Sequence, residues 1–349
     1  MRFLFDLGHP AHFHLFHFAI EKLKSRGHQV LICTRDKDII VKLLQGYGYE
    51  FHTLSRQKSG VWGLFLEYLV HSYNLYRFAL TFKPDLIVGC TPSVSLVSKF
   101  CPARSIIFSE DDPKAVPLAA LLTYPLADFI FMPDVIKSSW PKRISYSGYH
   151  KLAYLHPNHF TPNPAVLPKL GVLPGEPYFI LRFVSFHAAH DHGESGLNME
   201  VRENLIRKLS QIGRIFITSE SPLPEQLEPY RIRIAATDIH DALYYATMLV
   251  GDSQTMTAEA AILGTPAIRF NTFVGRISYL DELENRYQLT FGFTPDQEDR
   301  MFNCISDLLS QTDLKSTWQK RRMKMLSEKI DVTAWMVDLV ENIGRGQAK

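Results

Sequence analysis

The sequence predicts an α/β protein built from two Rossmann-like domains, each a doubly wound parallel sheet. Three observations lead there. Short apolar runs alternate with stretches of helical periodicity along most of the chain. A proline-rich interval interrupts that alternation near the middle, and it resumes afterwards. The 349 residues suffice for two domains of ordinary size.

In chain order, residues 2–7 read as the first strand, with Asp6 near its end. Gly8-His9-Pro10 is a turn. Residues 11–26 have helical spacing through Leu15, Ala19 and Leu23, stopped by Gly27. Strands follow at 28–33 and 49–54, with a helix at 36–46 between them. A long helix covers 61–82 and ends at Lys83-Pro84. Strands at 85–89, 105–108 and 128–132 flank helices at 93–100 and 114–122. Prolines 157, 162, 164, 168, 174 and 177 then fit poorly inside regular elements. Beyond them come strands at 178–183, 214–218, 248–250 and 267–270, with helices at 199–211, 241–246 and 256–263. Helices at 296–309, 314–328 and 332–343 close the chain. The expected plan is an N-terminal domain (1–155), a proline-rich linker (156–176) and a second domain (177–330). A last helix (331–349) is expected to pack back toward the first domain. Two such sheets facing a cleft is the plan of the GT-B fold.

Composition narrows the function classes. At 46% hydrophobic and 21% charged, this is an ordinary globular chain, and its net charge of +2 gives no overall field for nucleic acid. Cys33, Cys90, Cys101 and Cys304 lack CxxC spacing and read as reduced core thiols. The N-terminus begins with a strand and shows no apolar signal core. The most apolar helix, 61–82, is interrupted by Glu67, His71, Asn74 and Arg77, so no transmembrane segment is expected. These features predict a cytoplasmic protein, attached if at all only peripherally to an inner membrane face.

Residues 249–270 carry the strongest functional signal. They read as strand, polar turn, Ala-rich helix, Gly-Pro break and strand. A turn of this kind aims free backbone N–H groups and the positive end of a helix dipole at an anion. Ser253, Gln254 and Thr255 form the mouth. Glu259, one turn in, can accept hydrogen bonds from sugar hydroxyls. An ordinary crossover with a capped helix fits the same letters.

The chain resembles the non-hydrolysing UDP-N-acetylglucosamine 2-epimerases. More distantly it resembles the glycosyltransferase that makes lipid II, and most of all the family known as domain of unknown function 354. The epimerases carry a Ser-Gly-Gly turn, a Glu six residues after the Ser, and Leu-Gly-x-Pro. Ser253, Glu259 and Leu263-Gly264-Thr265-Pro266 match at that spacing, with Gln254 and Thr255 replacing the glycines. The resemblance implies that this turn binds a diphosphate and that Glu259 binds ribose hydroxyls. His187 matches a diphosphate-holding His after the first strand of the second domain. Residues 122–133 resemble the LTxxLADxxFxP stretch, Glu110 falls on the Glu of a VEAGLR segment, and Ser147-Gly148 resembles the start of the hinge. There are departures too. An acid of epimerase chemistry is Cys90 here, a second aligns with Pro117, and an N-terminal Arg lands on Pro10.

The remaining polar residues allow more than one reading. His9, His12, His14 and His17 follow the first strand. His187, His190 and His192 sit near Asp191. Such clusters can hold zinc, but the spacing is one residue away from a dinuclear-hydrolase motif, and no metal or cofactor is expected. His14 and His17 read as partly buried helix residues; Gly8, His9 and His12 read as sugar- or acceptor-side. Glu110, Asp111 and Asp112 offer a general base or a solvated N-cap cluster. Arg182 and Arg269 lie at strand ends, where either can offset diphosphate charge or form a structural pair. The basic run 320–324 reads as a solvated helix face.

Together these readings predict a UDP-sugar-dependent enzyme of cell-surface or polysaccharide biosynthesis. Glu110, His12 and His187 are the catalytic candidates. Ser253, Gln254, Thr255, Glu259 and Arg182 are the nucleotide-binding ones. Glycosyl transfer to a glycan or lipid-linked acceptor is the leading reaction. Sugar-nucleotide epimerisation is the alternative, and a non-catalytic nucleotide-binding module is the alternative of another class.

Overall fold

In the computed structural model, which describes residues 1–36, 38–138, 140–184, 196–219 and 222–347, the chain divides into two compact units. Unit 1 is Met1–His159 with Lys329–Lys349, and unit 2 is Phe160–Glu328.

Unit 1 runs β1 (Arg2–Leu7), α1 (Pro10–Ser25), β2 (Gln29–Asp36), α2 (Asp38–Gly46), β3 (His52–Arg56) and α3 (Gly60–Phe82). It continues with β4 (Leu86–Gly89), α4 (Pro92–Val97), β5 (Arg104–Phe108), α5 (Pro117–Thr123), β6 (Phe129–Pro133), β7 (Arg143–Tyr146) and α6 (Leu152–Leu155). The sheet is parallel throughout, in the order β3-β2-β1-β4-β5-β6-β7. Helices cover both faces of such a sheet, which is why β1 buries five of its six residues. Pro10 opens α1 at a position where its missing N–H costs nothing.

Unit 2 runs α7 (Val166–Leu170), β8 (Tyr178–Phe183), α8 (Met199–Leu209), β9 (Arg214–Ser219), α9 (Ile239–Tyr245), β10 (Met248–Gly251) and α10 (Gln254–Leu263). Then come β11 (Ala267–Phe270), α11 (Ser278–Asn285), β12 (Thr290–Phe293), α12 (Glu298–Leu309) and α13 (Leu314–Glu328). Its parallel sheet has the order β12-β11-β10-β8-β9. The last helix, α14 (Val332–Gly344), belongs to unit 1. There Thr333 donates to the Ala153 carbonyl at 2.7 Å, and Glu341 meets His28 at 2.7 Å and Arg26 at 3.1 Å.

Several elements were not expected. β7 (Arg-Ile-Ser-Tyr) is an edge strand with one aliphatic residue, and β12 (Thr-Phe-Gly-Phe) carries a glycine, so neither shows an apolar run. The basic run on α13 is a solvated face only in part: Lys320 and Lys324 are exposed, whereas the two arginines are engaged. Arg322 donates to the Ile262 carbonyl at 2.9 Å, and Gln319 to the Leu263 carbonyl at 3.2 Å. Arg321 lies 4.3 Å from the Trp318 ring and donates to the Gln288 carbonyl. Arg322 and Gln319 satisfy carbonyls that the end of α10 leaves open, around Gly264 at φ 77°, and Arg321 satisfies one beyond α11.

Gly251 marks a close approach: a Cβ there would lie 2.6 Å from the Arg182 carbonyl oxygen of the neighbouring strand. Gly46, the last residue of α2, has open space around it. Gly251→Ala is therefore expected to destabilise the protein by roughly 1–3 kcal/mol, while Gly46→Ala stays neutral or gains slightly. Urea denaturation of both variants checks the contrast.

Candidate functional site

In a doubly wound sheet, ligands sit at the carboxyl ends of the strands, where successive connections leave in opposite directions. In unit 1 that point lies between β1 and β4; in unit 2 it lies between β8 and β10.

At the unit 1 point the turns are Gly8-His9 and Cys90-Thr91. They approach closely, since a Cβ on Gly8 would lie 3.1 Å from Thr91 Cγ2. Beneath them Asp6 is fully buried. His71 Nε2 lies 2.9 Å from Asp6 Oδ1, and Thr91 Oγ1 donates to Oδ2 at 2.5 Å. Ser55 Oγ lies 3.0 Å from His71 Nδ1 on its far side. Burial alone would raise the Asp6 carboxyl, but the His71 charge and these hydrogen bonds outweigh it and hold the group below the usual range. Burial likewise opposes charge on His71, and Asp6 overcomes it, so the imidazole is raised.

His12 stands at the start of α1. The Gly8 N–H donates to its Nδ1 at 3.2 Å, so Nδ1 is the bare nitrogen and Nε2 carries the proton. Burial, then the neighbouring His9, push this imidazole down to about 3. His12 is thus a neutral hydrogen-bond donor at physiological pH. His9 caps the same helix, with its Nδ1 accepting from the Ala11 N–H at 3.2 Å. The two rings are 6.0 Å apart.

Glu110, after β5, is buried. Its Oε1 accepts from the His150 N–H at 2.6 Å, and its Oε2 pairs with Lys151 Nζ. Burial would raise this carboxyl; Lys151 and His150 hold it low instead. A carboxylate of low pKa already engaged by two donors is a weak proton acceptor. Asp111, next in the chain, is exposed. His150 is pushed down to about 4 by burial, and its Nε2 is buried without a hydrogen-bond partner.

The histidine run divides. His9 and His12 stay at the switch point, while His14 lies against Tyr154 (5.1 Å) and His17 is buried in a stack on Phe13 (5.3 Å, 15°). Among the described residues, no group of three or more His, Cys, Asp or Glu is placed to hold a metal ion.

At the unit 2 point, Ser253 is the N-cap of α10. Its Oγ accepts from the Met256 N–H at 3.3 Å. The first N–H groups of any helix have no partner inside it, and here they belong to Gln254 and Thr255. All three mouth residues are half-buried. Arg182, near the end of β8, donates from Nη1 to Thr218 Oγ1 at 2.8 Å. Asp252 links the two strand ends: its Oδ1 accepts from the Val184 N–H at 2.7 Å, and its carbonyl accepts from Asn271 Nδ2 at 2.8 Å. Its Oδ2 is buried and has no partner among the described residues, and burial pushes the carboxyl up to about 7. Glu259 is buried within α10, with Oε1 3.3 Å from His240 Nε2. Arg269 is almost wholly buried; burial pushes it down against the carboxylates of Glu284 and Asp281 on α11, and its Nη1 and Nη2 have no hydrogen-bond partner among the described residues. His187, His190 and His192 lie outside the described residues.

The structure thus gathers Gly8, His9 and His12 at one switch point, with Glu110 joined to them through His150. It gathers Arg182, Ser253, Gln254 and Thr255 at the other. Sequence reasoning missed Thr91, His71, His150, Lys151 and Asp252. Only His71 announced itself, as a polar residue inside a long apolar helix.

A profile of the family described as protein of unknown function (DUF354) matches residues 1–344. An uncharacterized protein of Methanocaldococcus jannaschii is 24% identical over 278 residues, 75% of this chain and 80% of its own. Among solved structures, spinosyn forosaminyltransferase superposes with a TM-score of 0.67 at 17% identity, over 99% of each chain. The UDP-N-acetylglucosamine 2-epimerase of Neisseria meningitidis, bound to UDP-N-acetylglucosamine, superposes with a TM-score of 0.63 at 12% identity, over 98% of this chain and 100% of its own. At such identities the likeness is one of fold, and the fold is GT-B.

Two pH dependences follow from the buried aspartates. His71 is raised from its ordinary 6.5, so its contribution is complete below that pH and is lost as pH rises through the folded value. Asp6 is lowered from 3.8, so its contribution is complete above 3.8 and is lost as pH falls. The penalty of Asp6→Asn, roughly 3–5 kcal/mol for breaking a buried pair, should therefore be largest between those limits in urea titrations. Asp252 is raised, so its ionisation costs stability as pH climbs from 3.8 to about 7. Asp252→Asn should match the wild type near the acid limit and exceed it at alkaline pH, by on the order of a few kcal/mol. Thermal unfolding across that range tests this.

Proposed function

We propose, starting from the fact that this chain belongs to the DUF354 family, that it binds a nucleoside diphosphate sugar of the UDP type and transfers the sugar to an acceptor. The observation that carries this reading is the mouth of α10. Two backbone N–H groups and the Ser253 hydroxyl stand at the end of β10, and Arg182 stands at the neighbouring end of β8 with its guanidinium on Thr218 of β9. A diphosphate suits that site, because helix-mouth N–H groups and a guanidinium stabilise the negative charge that grows on a leaving group. Glu259, with its carboxylate oriented by His240, is the proposed ribose contact.

In unit 1, His12 is proposed to donate its Nε2–H to a sugar or acceptor oxygen, and His9 to do the same beside it. Glu110 serves as a fixed charge that holds Lys151 and the His150 backbone. Asp111 is the proposed general base toward the acceptor hydroxyl, since it is the exposed carboxylate of that turn. The diphosphate role of His187 rests on the resemblance alone.

Epimerisation is the second reading. Against it stands Cys90, where the epimerases carry an acid. Burial and the carboxylates of Asp111, Asp6 and Glu110 push its thiol well above the usual range, leaving it poor at exchanging a proton with carbon.

Calorimetry with UDP tests the nucleotide site. Ser253→Ala and Glu259→Gln should each weaken binding about tenfold or more, on the order of 1.4 kcal/mol; because Ser253→Ala also removes the α10 cap, roughly 1 kcal/mol, binding is read well below the melting temperature of each variant. Affinity equal to wild type in both would remove the assignment. Incubation with UDP-N-acetylglucosamine alone should yield no C2 epimer; its appearance would make epimerisation the reaction.

A further inference from the structure

Helix α3 is turned inside out. Its buried face carries Glu67, His71 and Ser72, with Leu75 and Ala79 further along. Glu67 accepts from the Lys58 N–H at 3.0 Å and meets Arg35 at 3.4 Å; His71 holds Asp6; Ser72 donates to Ser93 at 2.9 Å. The face left outside is apolar: Val61 (83% exposed), Trp62 (80%), Phe65 (50%), Leu69 (45%), Val70 (47%) and Tyr73 (63%). No charged side chain interrupts it. Of the polar residues that break the apolar run in the sequence, Glu67, His71 and Asn74 thus turn inward, and the exposed Arg77 lies beyond the apolar patch. A nearby helix repeats the pattern, with Leu118 and Leu121 of α5 68% and 64% exposed. Helices α3, α4 and α5 share one core through Leu75, Ala79, Val94, Val97, Ala120 and Tyr124, so these faces lie on the same side of the sheet.

Two further observations say what covers the face. The first is charge. Unit 1 carries 21 Lys and Arg against 15 Asp and Glu, a net +6, while unit 2 carries 17 against 21, a net −4. Exposed Arg56 and Lys58 stand just before the apolar turn of α3, and exposed Lys114 just before α5. A second copy docked on this face would bring two positive units together, whereas an anionic lipid surface meets both the charge and the apolar side chains. The second is position. The apolar half of α3 begins where β3 ends, and so lies at the carboxyl edge of the sheet, the edge that carries Gly8, His12 and Thr91. The face lies on a bilayer and does not enter it as a span: among the described residues no helix is long and apolar enough to cross a membrane.

We propose that the outward face of α3, with α5 beside it, is a docking surface for an anionic lipid bilayer, seating Trp62 and Phe65 at the headgroup boundary. In its purpose this rests on the reading given above, since it would bring a lipid-borne acceptor to the catalytic edge of unit 1. The docking itself stands without that reading.

The test is flotation of the full chain with phosphatidylcholine vesicles, and with vesicles that also contain phosphatidylglycerol. The wild type should float with the anionic vesicles only, and less at high salt. Phe65→Asp combined with Leu69→Asp, both at exposed positions, should lower binding at least tenfold. Arg56→Glu with Lys58→Glu should lower it severalfold. Melting temperature and UDP affinity should be unchanged in both. A wild type that floats with neither vesicle overturns the proposal, as does binding indifferent to these substitutions. A dimer in sedimentation equilibrium that Phe65→Asp and Leu69→Asp dissolve assigns the face to a second copy and overturns it too. UDP affinity on the same samples separates the two ideas: its retention without vesicle binding sinks the docking surface alone.

Discussion

The first unit depends on a carboxylate cut off from water. Asp6 sits in β1, beside the central strand, and its two oxygens reach His71 of α3 and Thr91 of the turn after β4. One group thus joins three elements at the place where the sheet divides. Unit 2 has a counterpart in Asp252, which ties the end of β10 to Val184 at the end of β8. The two behave oppositely because their partners differ. Asp6 has donors on both oxygens and a cationic neighbour, so it stays ionised against the cost of burial. Among the described residues Asp252 has one donor and one bare oxygen; the charges of Arg202 and Arg182 do not offset its burial, which raises it to about 7.

Charge at the unit 1 edge is arranged rather than abundant. Glu110 and Lys151 neutralise one another below the surface, and His12 and His150 are kept neutral by their surroundings. Besides the exposed carboxylate of Asp111, what remains to face a ligand is a set of polarised N–H bonds, which can bind oxygen atoms without imposing a fixed charge on them. In unit 2 the balance shifts toward the cation, through Arg182 and the mouth of α10. That division suits a diphosphate on one unit and neutral hydroxyls on the other.

Much of this was legible in the sequence, for local reasons. β8, β11 and α13 lie where the apolar runs and their Pro and Gly boundaries placed them. Ser253 could be read as a cap because the signal lies within four residues of the helix it starts. The Gly264 stop was equally plain. The pairings were not. Asp6 meets His71 65 positions away, and Glu110 meets Lys151 41 positions away, so no spacing rule reaches them. The inversion of α3 was hidden for a different reason. Glu67, His71 and Asn74 read as interruptions of an apolar segment, whereas their helical spacing aims them together at one side. The two arginines of the basic run on α13 misled in the same way, because their charge suggested solvent while their geometry serves carbonyls of α10 and beyond α11.

The two units are not completed in the order in which they begin. Unit 1 starts at the first residue, yet α14 is part of it, with Glu341 on Arg26 and His28 and the Ile330 N–H on the Ser147 carbonyl. Unit 2 is one uninterrupted stretch and has all its residues earlier. Unit 1 can therefore close only after the chain has passed through the whole of unit 2.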